Sequence, residues 1–297
     1  MSSPAISSLS EVSSDRSRHH HNPLCAGVAM RTVAQQVALV GLLIFAFESA
    51  MAQASPNEGK LGLSGSIGLG VASMPSYEGS SNRRTLAIPY FTMNYRTRDW
   101  GEVSVGQYGL VWQAVEAGDL RMGLVVNPDA GRMARQPSKL NPRPGDKRLA
   151  GMGEVRESTE AGVLVGYGPF SLLARKSLGD SGHKGTQVDM SVAWPLKVSD
   201  KVDVSFGAGL TWADKDYMQT YFGVTPAQSL ASGFRAYTPK AGVRKFELSA
   251  NAEYALAKDW KLQGSLALTQ LTGDAADSSL VARKSNPSMS LGIAYVF

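Results

Sequence analysis

Residues 288–297 read SMSLGIAYVF, and the chain stops there. Met289, Leu291, Ile293, Tyr295 and Phe297 are large and apolar, while Ser288, Ser290, Gly292 and Ala294 between them are small. Successive side chains of a strand point to opposite faces, so this stretch is a strand with one bulky apolar face and one nearly bare face. Termini fray unless something ties them down. The apolar face needs a solvent or a partner, and which of these it meets decides the fold.

The same alternation recurs along the chain. Leu61, Leu63, Ile67, Leu69 and Val71 alternate with Gly62, Ser64, Gly68 and Gly70; Val202, Val204, Phe206, Leu210 and Trp212 alternate with Asp203, Ser205, Gly207, Gly209 and Thr211. Phe246, Leu248, Tyr254 and Leu256 do so against Glu247, Ser249 and Glu253. Such period-two patterns are strands. Two environments accept them, a soluble sandwich in which apolar faces meet and a membrane barrel in which they meet lipid. Length decides between the two. Soluble strands run about 5 to 6 residues, whereas these patterns persist for about 11, as a tilted strand crossing a bilayer requires. Asp189, Glu253 and Lys261 fall on the small-residue face, where a dry core would penalise them and a polar lumen would not. Trp100, Tyr167, Trp194, Trp212, Trp260 and Tyr295, near pattern ends, are candidates for interfacial girdles.

Connections follow the same logic. Short turns at Arg96-Thr97-Arg98, Ala117-Gly118, Gly168-Pro169, Ser199-Asp200 and Lys258-Asp259 alternate with longer segments at 73–83, 128–154, 179–184, 213–241 and 272–286. Short periplasmic turns and long outer loops are the asymmetry of outer-membrane barrels. The fold expected is therefore all-β, a closed antiparallel transmembrane β-barrel over residues 61–297 with about 12 strands. If 99–116 forms one long strand, the count becomes about 10.

The N-terminal region carries a different pattern. Val37–Phe47 is the longest apolar run, too short for the roughly 20 residues of a spanning helix. Arg31 precedes it and Ala50-Met51-Ala52 follows, the order of a secretory signal peptide. The expectation is a leader over 1–52 cleaved after Ala52, with Ala54 as the alternative, Ala50 and Ala52 as the small residues of the site, a true start at Met30 and a periplasmic segment at 53–60. His19, His20 and His21 then fall in a discarded segment, as does Cys25, the one cysteine. The leader is charge-balanced, so the formal charge of +5 belongs to the mature chain. No basic stripe with interleaved aromatics accompanies it, which argues against a nucleic-acid partner and for an anionic membrane surface.

Candidate sites are few. His183 in GHKG is the one histidine of the mature chain. A lipid A deacylase would need a nucleophile and an orienting group beside it, and a metal site would need further ligands; a structural or solvated histidine is expected instead. Gly65, Gly68 and Gly70 lie within a strand rather than between a strand and a helix, so they are no dinucleotide loop. No cofactor is expected. Arg132, Arg135, Lys139, Arg143, Lys147 and Arg148 form a basic cluster among Pro137, Pro142 and Pro144. It reads as a solvated outer loop or, for Arg132, Arg135, Arg143 and Arg148, as contacts to lipopolysaccharide phosphates, which guanidinium forks fit.

PSYEGS at 75–80, PYFTMNY at 89–95, LAGMG at 149–153, GHKG at 182–185, YFGVTPAQS at 221–229, GDAADSSL at 273–280 and the terminal AYVF together resemble the MipA/OmpV family of outer-membrane proteins, the MltA-interacting proteins. The resemblance implies a barrel and a scaffolding role for peptidoglycan-remodelling enzymes, a lytic transglycosylase and a peptidoglycan synthase, rather than catalysis. Tyr295 and Phe297 resemble the terminal aromatic signal read by the barrel-assembly machinery. Partners expected are outer-membrane lipid, lipopolysaccharide and that machinery, with Arg96, Arg98 and Lys258 as periplasmic rim contacts. A narrow diffusion pore and a surface adhesin or antigen are the alternatives.

Overall fold

The computed structural model describes residues 61–106, 109–135 and 143–297. The expected leader over 1–52 with Ala50 and Ala52, the expected periplasmic segment 53–60, and Pro137, Lys139 and Pro142 lie outside the described residues. Twelve antiparallel strands follow one another around a closed barrel: β1 (Gly62–Pro75), β2 (Arg83–Arg96), β3 (Glu102–Gly106), β4 (Gly109–Ala117), β5 (Leu120–Asp129), β6 (Ser158–Tyr167), β7 (Phe170–Leu178), β8 (Thr186–Lys197), β9 (Val202–Ala213), β10 (Gly242–Ala257), β11 (Trp260–Leu271) and β12 (Ser285–Val296). The segment 99–116 resolves into the separate strands β3 and β4, so the count is twelve rather than ten. β3 begins at Glu102, later than position 99, because Thr97 N–H bonds Gly101 O at 2.9 Å and holds a five-residue turn.

Closure joins β1 to β12, with Ile67 opposite Tyr295 and Val71 opposite Leu291. Beyond the paired strands, Gly65 and Phe297 exchange both backbone hydrogen bonds at 3.0 Å. A side chain at Gly65 would meet the Phe297 ring within 2.8 Å, so the bare backbone there makes room for the terminal aromatic. A closed barrel leaves no edge strand and satisfies its backbone polar groups internally, which is what a hydrocarbon surround demands. Leu63, Ile67, Leu69, Leu248, Leu266 and Leu291 stand outward and exposed, forming the apolar band. Five of the six aromatics expected in girdles flank the short turns, and Trp212 alone lies near the long loops. The aromatic belt is therefore concentrated at the turn end, where Trp260 and Tyr295 meet edge to face at 5.5 Å.

The long loops fold back on one another. Helix α1 (Lys215–Phe222) follows β9 directly and helix α2 (Pro226–Ser232) follows it, while α3 (Gly273–Ala276) sits between β11 and β12. Tyr217, Met218 and Phe222 of α1 pack with Ala213, Leu271, Ala275 and Ala276. Tyr77, Leu149, Met152, Val224 and Leu280, drawn from four different loops, form a second buried cluster. These clusters cap the loop end. Interior accessibility is graded accordingly: inward Glu247 and Asp189 near the loops are buried, whereas Glu253, Gln263 and Asp203 nearer the turns are reached by solvent.

Candidate functional site

Beneath the cap, six consecutive strands, the first long loop and the β7–β8 loop contribute to one polar network. Glu160 of β6 sits at its centre: Oε1 accepts from Gln187 Nε2 at 3.0 Å and lies 3.1 Å from His183 Nε2, while Oε2 accepts from Asn127 Nδ2 at 2.8 Å and lies 3.2 Å from Arg175 Nε. Arg175 Nη2 reaches Asp189 at 2.9 Å, and Thr211 donates to the other Asp189 oxygen at 2.6 Å. Gln187 Oε1 accepts from Arg244 Nη2 at 2.8 Å, and Arg244 Nη1 lies 2.6 Å from both oxygens of Glu78. Buried charges persist only when paired and hydrogen-bonded, and here each carboxylate meets a guanidinium. The network crosses the upper lumen from β5 to β10.

Local sequence explains how these groups arrive together. Alternation along β10 would turn Lys245 inward and Arg244 toward lipid, but a register shift between Val243 and Lys245 buries both. A bulge re-aims one side chain in this way. His183 is delivered by its glycines: a side chain at Gly185 would collide with the backbone N of Tyr217 at 2.4 Å, so only glycine lets the β7–β8 loop pass under α1. Asp214 anchors that helix, accepting from Tyr217 N at 3.0 Å as its N-cap and from Thr186 N at 2.7 Å.

The lid of the network is aromatic. Tyr217 and Tyr221, one turn apart on α1, have ring centroids 4.7 Å apart. Arg244 stands over the Tyr217 ring at 4.9 Å and Arg132 over the Tyr221 ring at 5.9 Å, within cation–π range. Tyr221 donates to Asp129 Oδ1 at 2.5 Å, and Arg132 Nη1 donates to Tyr221 O at 2.6 Å. Burial pushes both phenols up, Tyr221 further raised by the neighbouring Asp129 charge, and burial pulls the Arg132 guanidinium below its ordinary value. A cavity of about 70 Å³ lies among Glu78, Asp129, Arg132, Tyr217, Tyr221 and Arg244.

His183 is thus a buried structural side chain, not a solvated one. Gly185 N–H points at its Nδ1 at 3.1 Å, leaving Nε2 to carry the proton toward Glu160. Among the described residues no hydroxyl side chain bonds its ring and no cluster of three His, Cys, Asp or Glu is placed to hold a metal ion.

The basic loop departs from expectation. Arg132 is 4% exposed, which removes it from reach of a lipid phosphate. Arg143 donates to the carbonyls of Ala130 and Val155, and Arg148 to those of Leu280 and the Tyr77 hydroxyl. A loop without regular structure has carbonyls to satisfy, and a five-donor fork on a long stem does so across several segments. Arg135 stays on the surface, 3.8 Å from Glu154, and Arg148 also remains exposed while its Nη1 is held by Leu280 and Tyr77. At the turn end Arg96 is half-buried between Glu102 at 2.7 Å and Glu116 at 2.8 Å, whereas Arg98 and Lys258 are exposed. Sequence reading overlooked Glu78, Glu160, Arg175, Tyr217, Tyr221 and Arg244; the available signal was the pairing of basic residues, Arg175-Lys176 and Arg244-Lys245, at strand ends that enter long loops.

A closed twelve-stranded barrel with an apolar exterior and an occluded loop end defines an outer-membrane β-barrel protein. Residues 67–297 match the family described as MltA-interacting protein MipA, and the chain belongs to that family. The MltA-interacting protein of Escherichia coli K12 is 24% identical over 155 residues, covering 52% of this chain and 62% of that relative; the Shigella flexneri protein of the same name matches equally. The match therefore spans less than two thirds of those relatives. Among solved structures, OmpT of Vibrio cholerae is 10% identical with a TM-score of 0.34, covering 79% of this chain and 97% of its own. An outer membrane channel of Pseudomonas putida F1 is 10% identical with a TM-score of 0.36, covering 80% and 96%.

Proposed function

We propose that the protein is a non-catalytic outer-membrane scaffold that presents its turn end and the segment 53–60 to a lytic transglycosylase in the periplasm, and through it to a peptidoglycan synthase. The observation that carries this reading is the packing of α1, with Tyr217, Tyr221 and Phe222, over the loop end, while inward side chains nearer the turn end are reached by solvent. The names of the relatives, which describe interaction with MltA, support the choice of partner. An occluded lumen weighs against free diffusion as the primary role. In this reading residues 1–52 are a leader cleaved after Ala52, and Tyr295 with Phe297 serve assembly.

A specific interface usually needs about 800 Å² per partner, and the short turns offer little of it. Binding is therefore weak, salt-sensitive and centred on Arg98 and Lys258, with Arg96 held back by Glu102 and Glu116. The test is capture of a lytic transglycosylase by the detergent-solubilised full chain. Arg98→Ser with Lys258→Ser and removal of 53–60 should reduce capture while boiled and unboiled samples still migrate differently on gels. Undiminished capture by that variant overturns the reading.

A further inference from the structure

We propose that the cavity beneath the aromatic lid is a binding site for a small oxyanion, a carboxylate or phosphate reaching it through the lumen and held by Arg132 with Arg244 and Lys245. The first ground is charge. Arg132, Arg244 and Lys245 line the cavity with the carboxylates Glu78 and Asp129, and what matters is how these charges are paired. Both carboxylates are already engaged: Glu78 accepts from Arg244, and Asp129 accepts from Tyr221 and from Gly131 N–H at 2.9 Å. Lys245 is answered by Glu247 at 3.6 Å. Arg132 is the exception, since among the described residues no carboxylate comes within 4.0 Å of it, and residues 136–142 contain neither Asp nor Glu.

The second ground is burial. Arg132 is 4% exposed and Arg244 is 2% exposed, and the Nε–H of each is buried without an acceptor. The Tyr221 carbonyl and ring answer one N–H of Arg132 and part of its field, not its unit charge. A buried cation without a counter-charge is the arrangement that a bound anion relieves. Guanidinium forks match the geometry of carboxylate and phosphate.

Size and access point to a solute rather than to lipid. At roughly 10–15 Å³ per water, a space of this kind holds about five waters, comparable to an ion of four or five heavy atoms. Thr269, Asn286 and Ser288 of β11 and β12 line it from the lumen side, while the packed cap closes the side toward the loops.

The test is isothermal titration of the folded full chain in uncharged, phosphate-free detergent with inorganic phosphate and, separately, with acetate. Saturable binding of at least one ion is expected, and Arg132→Met should weaken it about tenfold or more, the loss of a charge-assisted hydrogen-bonding partner. Ser288→Leu, which fills the lumen side and removes no charged group, should also weaken it and serves if Arg132→Met does not fold. Phosphorus analysis of co-purified lipopolysaccharide should give the same content in parent and variants. Absence of saturable heat with both ions up to about 10 mM, binding unchanged in both variants, or an Arg132-dependent loss confined to lipopolysaccharide phosphorus would each overturn the proposal.

Discussion

Glu160 accepts from or faces four donors at once, Asn127, Arg175, His183 and Gln187, and is 1% exposed. Its role follows from the penalty of removing it. Glu160→Ala leaves Arg175 with Asp189 alone and strips the acceptor from Asn127 and Gln187, so the upper network loses the anion that organises it. Breaking a buried pair from one side costs about 3–5 kcal/mol, and a lower urea midpoint of the refolded protein should record a loss of that order. A midpoint within error of the parent would mean that water replaces the carboxylate there. Arg132 illustrates the opposite case. Sequence alone marks it as one of a basic cluster, indistinguishable from Arg135, yet one is buried on Tyr221 and the other exposed beside Glu154. Nothing in the local composition separates them, because the separation is made by α1, which is 80 or more residues away in the chain and supplies the Tyr221 carbonyl.

At the scale of elements, α1 is the part of the cap on which the rest is organised. It is short and its stability comes from packing and from its N-cap rather than from propensity. Asp214 performs two tasks, capping Tyr217 N–H and holding Thr186 N–H at the start of β8. Asp214→Ala should cost about 0.5–2 kcal/mol, the usual range for a lost cap, and the loss should be local. Hydrogen exchange is expected to quicken in residues 215–222 while β10 and β11 stay protected; unchanged exchange in α1 would show that packing alone holds it. The strands were legible because lipid on one side and a lumen on the other impose strict alternation. The register shift in β10 was not, because a bulge leaves the composition of a strand unaltered and changes only which neighbours face inward.

For the whole molecule, two predictions concern closure. Replacing 215–240 by a short Gly-Ser turn removes α1, α2 and the aromatic lid, and conductance in planar bilayers should be low for the parent and rise measurably in this variant. A parent protein that already conducts freely would show that the cap does not seal the lumen. Deleting Phe297 removes both of its hydrogen bonds to Gly65 and its ring on the outer face. Assembly in cells should fall much further than refolding into detergent in vitro, as expected of a residue that is both an assembly signal and a packing group. Equal losses in the two assays would reduce Phe297 to packing.

The alternation of large and small residues by itself determined that this chain is a barrel of about twelve strands with a lipid-facing exterior, and the loop words at 75–80, 182–185 and 221–229 marked its family. Those features are local: period-two patterning and turn composition are set by the immediate surroundings of each residue. Only the tertiary structure decided that the long loops pack over one end of the barrel, that His183 is buried against Glu160, and that Arg132, Arg143 and Arg148 donate to groups of the chain itself. The physical reason is range. Which acceptor meets which guanidinium depends on strands and loops brought together by closure, at separations of 89 residues for Arg132 and the Tyr221 carbonyl and 166 for Glu78 and Arg244, and no pattern read along the chain carries that information.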